Sequence, residues 1–222
     1  MKPISKAFLV LTAVLLFSAV GSASTLVVNC GTVSGPTELV SAAILCPQFN
    51  LLGQTLSNIS IAVSGGISGS ITLTNGDAST QTGSGTSTTG FSFGALSGFT
   101  FVNPIYSPSF TTGARTIAGN TTLPVPNLSA IGNGTLGNDT TIFAPYTGGG
   151  NFSILTTTST FFSAGGTGGA FMAAQSSSAN GTAVVTYTYS ATAASPEPAT
   201  ISLLGLGLLG FGFIARRIQV RK

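Results

Sequence analysis

Histidine and tryptophan are absent from this 222-residue chain, and only 5% of its residues are Asp, Glu, Lys or Arg. Ordinary globular chains carry about 25%. Between Ser24 and Ser195 the only charged side chains are Glu38, Asp77, Arg115 and Asp139, so this body has no lysine. Without His or Lys, no ordinary base can activate a Ser or Thr nucleophile, which excludes Ser-His-Asp and Ser-Lys hydrolysis. Two Cys and no His leave zinc without a ligand set. Glu38, Asp77 and Asp139 are widely spaced, a poor basis for the paired carboxylates of a glycosidase. The same scarcity argues against calcium, and Asn75-Gly76-Asp77 and Asn138-Asp139 read first as turns. The expectation is therefore no enzyme, no metal and no cofactor.

Location also disposes of the basic balance. The chain carries +3 overall, but Lys2, Lys6, Arg216, Arg217, Arg221 and Lys222 lie near its ends. The body has one positive and three negative charges, a net of −2. Nucleic acid needs a basic patch to neutralise phosphates, so nucleic-acid binding is excluded.

What is present is ordered at both ends. Lys2 and Lys6 precede an apolar core from Ala7 to Val20, followed by Gly21-Ser22-Ala23. That order predicts a secretory signal peptide over 1–23, handled by translocon and signal peptidase and cut after Ala23, with Ser24 the near alternative. Export makes Cys30 and Cys46, the only cysteines, a predicted disulfide, with two buried free thiols as the alternative. At the other end, Ala199 to Ala215 is an uncharged run. As a helix it would reach about 26 Å, against a hydrocarbon core of about 30 Å. Arg216, Arg217, Arg221 and Lys222 would hold its far end cytoplasmic and leave the body across the membrane. The run contains Gly205-Leu206-Gly207-Leu208-Leu209-Gly210, but a dinucleotide fingerprint needs a surrounding βαβ unit, which has no room here.

The order Pro196-Glu197-Pro198, apolar span, Arg216-Arg217 resembles the PEP-CTERM sorting signal of Gram-negative bacteria. The resemblance implies an exosortase-like transpeptidase that recognises and processes the tail over 195–222. The run over 199–215 would then be a transient single-pass anchor, with the cell surface or extracellular matrix as destination. An ordinary permanent anchor is the alternative.

The body, 24–194, is rich in Ser, Thr, Gly and Asn, and its periodicity is two. Ile59, Ile61 and Val63 share one face, as do Ile71 and Leu73 before the turn signal Asn75-Gly76. Phe91 and Phe93 alternate, as do Phe99 and Phe101, Phe152 and Ile154, and Val185, Tyr187 and Tyr189. Short alternating runs of β-branched and aromatic residues predict an all-β chain, a single β-sandwich-like domain flanked by a signal-peptide helix and a transmembrane helix. The segments 81–90 and 124–140 read as a flexible loop and an irregular stretch, and 163–169 as a break. NLLGQTLSNISIAVSGGISGSITLTN, FAPYTGGGNFSI and GTAVVTYTYSATAASPEPAT resemble the choice-of-anchor E domain, a β-rich bacterial surface domain. That resemblance implies architecture and location, not chemistry.

A structural surface or exopolysaccharide-matrix role is the leading expectation. The alternative is a secreted polysaccharide-binding module or adhesin, which would need Tyr106, Tyr146, Tyr187 or Tyr189 exposed for stacking on sugar rings. Sequons begin at Asn58, Asn120, Asn127, Asn133, Asn138, Asn151 and Asn180, and in so Asn- and Thr-rich a chain they arise readily by chance.

Overall fold

The computed structural model describes residues 23–191 and Gly207. The signal-peptide residues before Ala23, the triplet Pro196-Glu197-Pro198, and Arg216 and Arg217 lie outside the described residues. So does the apolar run over 199–215, apart from Gly207. Ala23 immediately precedes the first strand and is exposed. Among the described residues no helix is long and apolar enough to cross a membrane.

The strands are β1 (Ser24–Pro36), β2 (Ala42–Pro47), β3 (Gln54–Asn75), β4 (Gln81–Phe93), β5 (Ser109–Thr111), β6 (Arg115–Ile117), β7 (Thr121–Asp139), β8 (Asn151–Gly166) and β9 (Phe171–Ala191). One sheet has the order β1-β9-β3-β7, the other β2-β8-β4-β5, with β6 also paired to β4. The chain is all-β in its described body, as its periodicity predicts.

The two sheets lie face to face. The alternating residues Ile59, Ile61, Val63, Ile71 and Leu73 of β3 are buried, and so are Val185 and Tyr187 of β9. Opposite them stand Ile44 of β2, Phe91 and Phe93 of β4, and Ile154 of β8, all buried. Small residues set how closely the layers approach. A Cβ on Gly85 would sit 3.0 Å from Ile71 Cγ2, and one on Gly181 would sit 3.9 Å from both Ile44 Cδ1 and Phe91 Cε1. Burying a side chain of this size contributes about 1.5–3 kcal/mol.

Cys30 in β1 and Cys46 in β2 form the predicted disulfide, with Cα atoms 4.4 Å apart. Because β1 and β2 belong to different sheets, the bond joins the two layers at one edge.

Three local expectations are corrected. Residues 81–90 are not a loop but most of β4, an inner strand paired with β8 along its length. Its core-facing positions Gly83, Gly85, Ser87 and Thr89 are small because large groups already fill the space, Phe171 against Gly83 and Ile71 against Gly85. The segment 124–140 is not irregular but, up to Asp139, lies within β7, an edge strand against β3. Pro124 and Pro126 are tolerated there because an edge strand leaves one side of its backbone unpaired. Phe99 and Phe101 lie in no strand; they belong to an irregular segment between β4 and β5 and pack on the core partly buried. Asn75-Gly76 turns the chain as expected, carrying it from β3 in one sheet to β4 in the other. Asn75 holds that crossing: its Nδ2 donates to the carbonyls of Ser79, Ile117 and Ala118, and its Oδ1 accepts from Asp77 N.

Candidate functional site

The three body carboxylates do not converge. Glu38 accepts a 3.4 Å hydrogen bond from Thr160 N in β8, and Asp77 accepts from Gln81 Nε2 at the start of β4. Asp139 closes β7 and is 2% exposed. Its carboxylate accepts from Thr141 N at 2.8 Å, from Thr141 Oγ1 at 3.0 Å, and from Ile142 N. Burial pushes its pKa up, but these hydrogen bonds to the charged form outweigh burial and hold it below the ordinary carboxylate value. The residue that the sequence offers as an acid or ligand is thus the cap of a turn. Among the described residues no three Cys, Asp or Glu gather as a metal would require. Arg115 lies in the short strand β6, exposed, its Nε donating to Thr112 O at 2.9 Å.

Nor do the tyrosines form a platform. Tyr106, Tyr146 and Tyr187 are buried, and Tyr189 is partly buried against the core. Tyr106 stacks on Phe91 at 4.8 Å, and Tyr146 meets Phe152 edge-on at 4.9 Å. Tyr146 Oη donates to Ser97 O and Tyr187 Oη to Pro47 O. Burial, then the Asp139 charge, pushes the Tyr146 hydroxyl up to about 12. Burial, then Tyr146, does the same for Tyr187, also to about 12. These rings are core, and the stacking argument for sugar binding has no support from them.

A groove of about 650 Å³ on the β3-β7-β9 side is lined by Ser68, Ser70, Asn127, Leu128, Ser176 and Ser178, among others. It carries no charged side chain and no base to activate its hydroxyls. Of the sequon asparagines, all but Asn58 are exposed.

The remaining candidate is the exit of the chain from the body. β9 lies between β1 and β3, with Tyr189 opposite Ser24 and Thr188 O accepting from Ser57 Oγ at 3.0 Å. Phe49 packs on both Tyr187 and Tyr189, at 5.5 and 5.4 Å. The strand is therefore fixed almost to its end at Ala191, and after four intervening residues the Pro-Glu-Pro triplet begins.

Residues 196–217 match the PEP-CTERM protein-sorting motif. The motif implies export, association with the membrane and surface, and processing by an exosortase-type enzyme. No curated protein matches the chain. Among solved structures, a chain of the infectious bursal disease virus particle aligns at 12% identity and a TM-score of 0.22, over 79% of this chain and 37% of that one. Parasporin-2 of Bacillus thuringiensis aligns at 12% identity and a TM-score of 0.13, over 74% of this chain and 68% of that one. The present chain thus spans under two fifths of the viral chain, and scores this low carry no argument about fold or activity.

Two features escaped the sequence. Exposed Leu51 and Leu52, between β2 and β3, look in sequence like ordinary core residues. The capping role of Asp139 depends on where β7 ends, and the only local signal was the Asn-Asp-Thr-Thr cluster typical of turns.

Proposed function

We propose that this protein is an exported, non-catalytic surface or extracellular-matrix component, sorted through its C-terminal signal and released from a transient anchor by an exosortase. The observation that carries the reading is the PEP-CTERM match over 196–217 placed directly after the last strand of a β-rich body. The body supplies a low-charge scaffold, closed by one disulfide, in the manner of the choice-of-anchor E domain it resembles. Its role is structural: hydroxyl-rich strand faces meet the envelope or an exopolysaccharide matrix. Separated carboxylates and tyrosines packed in the core support a role without bond-making chemistry.

The test is Glu197→Ala in the host. The expected outcome is an unprocessed, membrane-retained chain on immunoblots of fractionated cells. Processing and location identical to wild type would remove the reading.

A further inference from the structure

The end of the sandwich at which β9 stops carries three exposed aliphatic side chains. Leu52 is 94% exposed, and Leu51 and Ile142 are 40% and 43% exposed. They share that end because Pro47 O accepts from Tyr187 Oη, Phe49 N donates to Tyr146 O, and Asp139 pairs with Ile59 near the start of β3. Among the described residues no charged side chain lies on it; the α-amino group of a chain cut before Ser24 stands at this end, opposite Tyr189. Asp139 is buried with its carboxylate occupied. Asp77 follows the far end of β3, and Arg115 pairs with Gly83 near the start of β4. Glu38 meets Thr160, nine residues along β8 from Asn151.

Covalent reach then names the occupant. From Ala191 to Ala199, where the uncharged run begins, there are eight residue steps. At full stretch they span roughly 29 Å, at about 3.3–3.6 Å per residue. The 22-residue strand β3 is roughly 70 Å long at about 3.3 Å per residue. While the tail is in a bilayer, the β9-exit end is held within that reach of the lipid surface, whereas the opposite end meets lipid only if the body lies flat along it.

We infer that Leu51, Leu52 and Ile142 form an apolar tip that dips into the interfacial layer of a lipid bilayer while the chain is anchored. The inference rests on the anchoring reading proposed above. The apolar tip itself needs no anionic lipid, since Leu51, Leu52 and Ile142 offer no cationic side chain. It would orient the body upright over its tether and hold the Pro-Glu-Pro triplet at the membrane surface.

The chain has no tryptophan, so a single introduced one reports its own environment. Leu52→Trp and, at the opposite end, Met172→Trp (64% exposed in the parent), each in the chain from Ser24 to Lys222, are reconstituted into zwitterionic phosphatidylcholine vesicles, with and without brominated acyl chains. Flotation checks insertion first. The expected result is a blue-shifted Leu52→Trp emission quenched several-fold more by brominated lipid than that of Met172→Trp. Vesicles that float with equal, weak quenching at both sites would overturn the tip while leaving the anchor intact. A blue shift at Leu52→Trp without lipid quenching would also overturn it, since a protein surface would then cover the tip. Chains that do not float would overturn the anchor, and the tip with it.

Discussion

Thr156 lies in β8 with no exposed surface, and its hydroxyl has no hydrogen-bond partner. A buried hydroxyl left unpaired costs about 1–3 kcal/mol. Thr156→Val keeps the shape and removes the orphan, so the midpoint of urea unfolding should rise, by about 1 kcal/mol of stability. Asp139 is the opposite case, a buried carboxylate whose hydrogen bonds outweigh its desolvation. Because its folded pKa lies below the unfolded value of about 3.9, its stabilising contribution is present above that value and lost as pH falls through the folded one. Asp139→Ala should lower stability at pH 7 by about 1.5–3 kcal/mol and flatten the acid limb of urea-derived stability against pH. The apolar members of the core were legible as residues, because Ile59, Ile61, Val63, Ile71 and Leu73 alternate openly. Asn75 and Asp139 were legible only as turn formers. Their burial depends on strands more than forty positions away, such as the one that brings Ile117 to Asn75.

At the scale of elements, the disulfide between β1 and β2 is the clearest inter-layer tie. It closes a short loop, Cys30 to Cys46 being 16 positions apart, which on chain entropy stabilises by about 3 kcal/mol. Reduction, or Cys30→Ala with Cys46→Ala, should lower the melting temperature without changing the β signature in circular dichroism. An unchanged melting temperature would mean the two layers are held together without it. The strands that escaped the sequence, β4 and most of β7, did so for a physical reason. Alternation is visible when one face is apolar and the other polar. On β4 the inner face is Gly83, Gly85, Ser87 and Thr89 and the outer face is Thr82, Ser84, Thr86, Thr88 and Gly90, so the contrast vanishes until Phe91. On β7, Pro124 and Pro126 argue against an inner strand, and topology makes it an edge.

For the whole molecule, scarcity of charge shapes the response to pH. Burial raises Tyr146 and Tyr187 to about 12, above the unfolded value of about 10. A group raised in this way gives stability that is complete below the unfolded value and lost as pH rises through the folded one. Stability should therefore fall between about pH 10 and pH 12, read by tyrosinate absorbance rising together with loss of the β signal. Titration of both rings near pH 10 with the fold intact would contradict their placement in the core. Chemistry at this scale was legible mainly as address. The tail motif stood open in the sequence, whereas the groove and the apolar tip exist only once distant strands are brought side by side.

The central claim is that the tail is a sorting signal and the body its cargo. Intact mass of the mature protein from its host, with the exosortase present and then deleted, tests it most directly. The account predicts a polypeptide beginning near Ser24 and lacking the basic terminus in the first case, and one retaining residues through Lys222 in the second. Identical masses in the two strains would contradict it.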